Sequence, residues 1–146
     1  MLSTLEKVIF LQEIDIFANT ETEDLAYIAA IADEIVYPSE TVLFKEGDMS
    51  DGMYLVIQGH VQIQYKGSLV TTAREKDAFG TWALFDDTHR VTTATVVEET
   101  RLLRIDRDAF MDLLADNIRI TQGILKTLSK KLRGLLGRFQ FGDDKG

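Results

Sequence analysis

The chain has 146 residues, a formal charge of −8, and 45% apolar against 27% charged residues. That length carries the core of one domain, and that balance excludes a disordered chain and a surface suited throughout to nucleic acid. Zero cysteines and two histidines, His60 and His89, exclude disulfides, thiolate chemistry and a histidine-rich metal centre.

The segment Met1–Phe17 is apolar but broken by Glu6, Lys7, Glu13 and Asp15, and it has no basic leader, so it does not read as a secretion signal. No apolar run approaches a membrane span, so no membrane segment is expected and the cytoplasm is the expected address. Ser3 with Glu6 forms the pattern of a capping box, and Leu5, Val8, Ile9 and Leu11 supply an apolar face behind it. A second helix start is expected at Asn19-Thr20, with Glu21, Glu23 and Asp24 in its first turn, where the helix dipole favours acids. Leu25, Ile28, Ala29 and Ile31 form its stripe.

From Ile35 the period shortens. Runs rich in Val, Ile, Leu, Phe and Tyr alternate with turn residues such as Tyr37-Pro38-Ser39, Glu46-Gly47-Asp48 and Lys66-Gly67-Ser68. Tyr54–Ile57 is apolar throughout, as in a strand covered on both faces, whereas Val61–Tyr65 alternates. The Gln58-Gly59-His60 turn between them reads as a hairpin, with His60 solvated at its tip. Further strands are expected over Leu69–Ala73, Thr92–Val97 and Leu102–Ile105. So many short strands argue for an antiparallel sandwich or barrel.

After Asp106, a cap residue, the helical period returns through Phe110, Met111, Leu113 and Leu114. Asn117 opens a longer segment in which Ile118, Thr121, Leu125, Leu128, Leu132, Leu135 and Phe139 follow a 3-4 spacing, the seam of a coiled coil. Charge divides at the same place. Residues 1–116 hold 9 basic and 22 acidic side chains, and residues 117–146 hold 7 basic and 2 acidic. The basic face of this last helix reads as ordinary solvated surface, and the seam as the contact of a homodimer, the alternative being a helix packed on its own jelly roll.

Three stretches together carry a resemblance. They are Leu43-Phe44-Lys45-Glu46-Gly47-Asp48; Met53 to Val61; and Phe79-Gly80-Thr81-Trp82-Ala83-Leu84-Phe85 followed by Thr88-His89-Arg90-Val91-Thr92-Thr93-Ala94. In order and spacing they resemble a cyclic nucleotide-binding domain, the last stretch matching that family's phosphate-binding cassette. The resemblance implies a mainly β fold, an eight-stranded antiparallel jelly roll with N-terminal helices and two C-terminal helices. It implies a single domain over 1–146: a helical lead over 1–34, the jelly roll over 35–106 with its cassette at 79–92, and closing helices over 107–140. It also implies that Phe79, Gly80, Thr81, Trp82, Ala83, Arg90, Val91 and Thr92 line the ligand site. Gly80 and the amides of Thr81, Trp82 and Ala83 would face the phosphate, with Arg90 as its ion-pair partner.

Two positions depart from the family pattern. Thr81 stands where the ribose-binding glutamate belongs, and His89 where a proline is common. A charge-assisted bond is worth about 1.5–3 kcal/mol, so its loss implies about 10- to 150-fold weaker binding. Trp82 is large for its place and would crowd or stack on a base. Without the phosphate role, Arg90 would be a structural arginine paired with Asp86 or Asp87.

The implied function is a regulatory ligand-sensing module, not an enzyme, with cAMP or cGMP as an allosteric ligand, no required cofactor, and occupancy passed on through the C-terminal helices. The alternative is a ligand-free jelly-roll scaffold for dimerisation or protein docking. The chain ends at Gly146 without room for a helix-turn-helix, so no DNA-binding domain is expected. The polar ending suits excision from a longer protein with an effector domain. No catalytic set stands out, and Asp48–Gly52 lacks the ligand spacing of a calcium loop, so it reads as a turn.

Overall fold

The computed structural model describes residues 1–138. Among the described residues there are four α-helices and eight strands. Helices α1 (Thr4–Leu11) and α2 (Thr22–Ile31), joined through a 3-10 turn at Asp15–Phe17, lead into the β region, and α3 (Arg107–Asp116) and α4 (Ile118–Arg138) close it. The strands are β1 (Ala32–Tyr37), β2 (Val42–Phe44), β3 (Gly52–Gln58), β4 (Val61–Tyr65), β5 (Ser68–Ala73), β6 (Ala78–Phe79), β7 (Thr93–Val96) and β8 (Thr100–Asp106). They form two antiparallel four-stranded sheets in the orders β1-β8-β3-β6 and β2-β7-β4-β5, the jelly roll the resemblance implies.

The capping box is present: Ser3 Oγ accepts from the Glu6 amide and Glu6 Oε1 from the Ser3 amide. Behind it only Val8 and Leu11 are buried, while Leu5 and Ile9 lie one turn apart on the solvent side. The second helix starts two residues later than expected. Glu21 occupies its cap position without a side-chain bond, and Asn19 instead donates Nδ2 to Thr127 Oγ1 of α4. Strand β1 then begins at Ala32, inside the expected helical lead. Asp106 caps α3 by accepting from the Ala109 amide.

The expected hairpin between Tyr54–Ile57 and Val61–Tyr65 does not form. At Gly59 the chain crosses from one sheet to the other, and β4 pairs with β5 and β7 instead. The crossing is tight enough to require glycine: its φ is +104°, and a Cβ there would lie 2.4 Å from Thr100 Oγ1.

The unbroken apolar run of β3 has the anticipated cause. Met53, Leu55 and Ile57 face the helices, with Phe17, Leu25, Ile28 and Phe110, while Tyr54 and Val56 face the second sheet, with Phe44, Ile63 and Val96. Strand β8 divides the same way at Leu102 and Leu103. The molecule therefore has two cores separated by one sheet. Strand β6 at that sheet's edge delivers the chain into the 79–92 segment between them. Among the described residues, no helix is long and apolar enough to cross a membrane.

On α4 the inward face is Ile120, Gly123, Ile124 and Thr127, not the expected seam. The seam residues Ile118, Leu125, Leu132 and Leu135 are exposed. Leu128 turns partly into the core, and Thr121 Oγ1 is spent on the Leu114 carbonyl. Phe139, the last residue of the expected seam, lies outside the described residues.

Candidate functional site

Phe79 ends β6 with its ring stacked on Tyr54, centroids 5.2 Å apart. Gly80 follows in the left-handed region at φ +72°, and Thr81–Leu84 wind one 3-10 turn. The Ala83 amide donates to the Gly80 carbonyl at 3.1 Å. Of the three amides expected to face an anion, Ala83 is thus engaged, and Thr81 and Trp82 carry the amides without an intrahelical acceptor.

Arg90 comes back across this turn. Its amide donates to Asp48 O at 2.7 Å and its carbonyl accepts from the Gly47 amide at 2.8 Å, which fixes the backbone against the 47–50 turn. The side chain runs inward. Arg90 is 7% exposed, its Nη2 donates to Gly52 O at 2.6 Å, and Asp51 Oδ1 lies 3.5 Å away. The guanidinium carbon sits 4.0 Å over the Phe44 ring, an arrangement attractive to a desolvated cation. Its Nε is buried with no hydrogen-bond partner. Burial lowers the guanidinium pKa, and Asp51 acts in the opposite sense, so the group stays charged.

Gly80 makes room for that charge. A Cβ at this position would stand 2.6 Å from Arg90 Nη1. The partner of Arg90 is therefore Asp51, not Asp86 or Asp87. Asp86 Oδ1 accepts from both the amide and the hydroxyl of Thr88, and those two bonds hold its carboxyl below the usual range. Asp51 also lies 3.3 Å from Arg104, so one exposed carboxylate bridges two arginines.

Seven of the eight expected site residues line one cavity of about 440 Å³: Phe79, Gly80, Trp82, Ala83, Arg90, Val91 and Thr92. Phe44, Ser50, Ile63, Asp86, Thr88 and His89 complete its wall. Thr81 is the exception. It lines a neighbouring cavity of about 480 Å³ with Thr71, Thr72, Lys76 and Lys131, and Ile63, Phe79 and Trp82 border both spaces. Sequence reasoning did not single out Phe44, Ser50 or Asp51 for the site. Phe44 stood in a quoted motif, but nothing local tells that its ring lies under a guanidinium 46 positions later. Among the described residues no group of three or more His, Asp or Glu is placed to hold a metal ion.

Residues 34–117 match the family model described as the cyclic nucleotide-binding domain, more than half of the chain. The chain belongs to that family. It is 30% identical over 123 residues to a CRP-like cAMP-activated global transcriptional regulator of Mycobacterium tuberculosis, covering 81% of this chain and 55% of the regulator. It is 31% identical over 107 residues to a cAMP-dependent protein kinase regulatory subunit of Emericella nidulans, covering 72% of this chain and 26% of that subunit. The chain thus spans about half, or about a quarter, of these relatives' lengths. Its fold is similar to the N-terminal domain of a transcriptional regulator from Streptomyces coelicolor, with TM-score 0.82, 23% identity, and coverage of 92% of this chain and 99% of that one. The cAMP-activated regulator and the kinase regulatory subunit both carry the names of regulatory proteins.

Proposed function

We propose that the Arg90 cavity takes the phosphate of a cyclic nucleotide, cAMP or cGMP, and that occupancy is passed to the C-terminal helices of a homodimer. The observation that carries this reading is a buried, charged arginine, with an unpartnered Nε, lining a cavity at the start of a helical turn. A buried charge without a full set of partners is costly, and an anionic guest supplies them. Gly80 supports the same reading, because its missing Cβ leaves space beside Nη1.

A path from cassette to α4 exists in the packing. Phe85 meets Phe110 of α3 edge-on at 5.9 Å, and Phe110 meets Phe17 of the N-terminal 3-10 turn at 6.1 Å. That turn holds Asp15, paired with Lys131 of α4 at 3.6 Å. This row of contacts supports the reading that a shift of the 81–85 turn is passed to α4. The guest shifts that equilibrium by its difference in affinity for the two arrangements. The exposed leucines of α4 would be covered by a second copy of the same helix.

The scaffold alternative has one observation in its favour. Arg90 Nη2 is already engaged by Gly52 O and Asp51 without any guest. Arg90→Ala separates the two readings. The sensor reading predicts that cAMP or cGMP raises the melting temperature of the parent chain and not of the variant. If melting of both proteins is indifferent to millimolar nucleotide, the scaffold reading holds.

A further inference from the structure

We propose that Arg104 is a positioning residue for the anion site: by sharing the Asp51 carboxylate it keeps that charge from closing on Arg90, which leaves Arg90 free to take a guest. The inference deepens the reading of Arg90 as the phosphate partner and rests on it. Four charges alternate in a row, Arg90, Asp51, Arg104 and Asp106, with 3.5, 3.3 and 3.6 Å between neighbours. Of these four, Arg90 lines the cavity and the other three stand behind it. Asp51 turns Oδ1 to Arg90 and Oδ2 to Arg104. At 3.5 Å its contact with Arg90 is well beyond the length of a full charge-assisted hydrogen bond.

Arg104 is placed to hold that carboxylate. It stands opposite Tyr54 in the β3–β8 register, with its guanidinium carbon 5.9 Å over the Tyr54 ring. Its Nη2 also donates to the Asp51 carbonyl at 3.5 Å. Gly52 leaves space for this grip, since a Cβ there would lie 3.2 Å from Arg104 Nη2 as well as 2.6 Å from the Ile105 carbonyl. The Asp51 side chain is 67% exposed, against 19% for Arg104, so the carboxylate is placed by its arginines and not by burial. Without Arg104, the salt-bridge partner left to Asp51 among the described residues is Arg90. The pair would then shorten into an ordinary ion pair, and a guest would have to displace the carboxylate. With Arg104 present, an arriving phosphate takes Arg90 while Asp51 keeps an opposite charge, so the two anions do not meet uncompensated.

The test is a double-mutant cycle on the full chain, titrated with cAMP and with cGMP by calorimetry, with melting curves to confirm folding. Arg104→Gln is expected to weaken nucleotide binding by about 3- to 100-fold, the range for directly coupled neighbours. Arg104→Lys, which keeps the charge on a single donor group, recovers part of that loss. Asp51→Asn binds at least as tightly as the parent, and on that background Arg104→Gln changes the affinity by less than about twofold. A general loss of positive charge would act alike on both backgrounds, so the cycle separates it from an effect carried by Asp51. Unchanged affinity in Arg104→Gln, a loss that lysine does not relieve, or a loss that persists beside Asp51→Asn overturns the role of Arg104 while the phosphate reading stands. Weaker binding by Asp51→Asn alone does the same. No nucleotide binding by the parent chain overturns both. If Arg104→Gln fails to fold, Arg104→Lys takes its place in the cycle, and a loss confined to the Asp51 background is again the expected result.

Discussion

Arg90 is fixed by three unlike contacts: a carbonyl at Gly52, a carboxylate at Asp51 and the face of Phe44. Each holds it in place without neutralising it, because only Asp51 carries charge and that carboxylate is shared with Arg104. The position depends on Gly80 in turn. Gly80→Ala places a methyl group in the left-handed region and against Nη1, so it is expected to destabilise the fold by about 1–2 kcal/mol and to abolish ligand binding. Thermal melting and calorimetry of that variant check both effects. At this scale the sequence was informative where the signal is local: Gly80, Trp82 and Arg90 were found from motif order, and all three line the cavity. It was silent on Asp51 and Phe44, whose roles arise from contacts 39 and 46 positions away in sequence. Thr81 lines the neighbouring cavity, because motif position does not determine on which side of a one-turn helix a short side chain emerges.

Helix α4 contains three glycines, and the structure gives them opposite meanings. Gly123 packs on the N-terminal turn, where a Cβ would lie 2.6 Å from the Asn19 carbonyl, whereas Gly134 meets nothing within 4 Å. Gly123→Ala is therefore expected to destabilise by about 1–3 kcal/mol by forcing the helix away. Gly134→Ala is expected to stabilise by about 1 kcal/mol through helix propensity alone. Chemical denaturation of the two variants tests this difference in sign. The heptad pattern could not have distinguished them, because two apolar stripes coexist on the helix. Small residues and Ile120 and Ile124 face inward, and the leucines face out. Arg119 adds a local clamp, with two nitrogens at 2.7 Å from the buried Asp24, an arrangement that holds its pKa above the ordinary arginine value. The missed sheet crossing at Gly59 has a similar origin. A glycine turn between two apolar runs fits a hairpin and a change of sheet equally well, and only the packing on Thr100 decides.

Across the described residues, two cores lie on either side of one sheet, and strands β6 and β8 of that sheet lead in chain order into the 79–92 segment and into α3. The outward stripe of α4 is left uncovered by this arrangement, with Leu125 60% and Leu132 59% exposed. Sedimentation at several concentrations is expected to show a homodimer for the parent chain and a monomer for Leu132→Asp; Leu132 is the better probe than Leu128, which helps build the core. A parent chain that stays monomeric at high concentration would remove the dimer from the account. The central claim is more direct: a buried arginine charge awaits an anionic guest. Calorimetric titration of the full chain with cAMP and cGMP tests it, predicting saturable binding of one nucleotide per chain that Arg90→Ala abolishes. A folded protein giving no heat at millimolar nucleotide, or an alanine variant that binds as well as its parent, would contradict it.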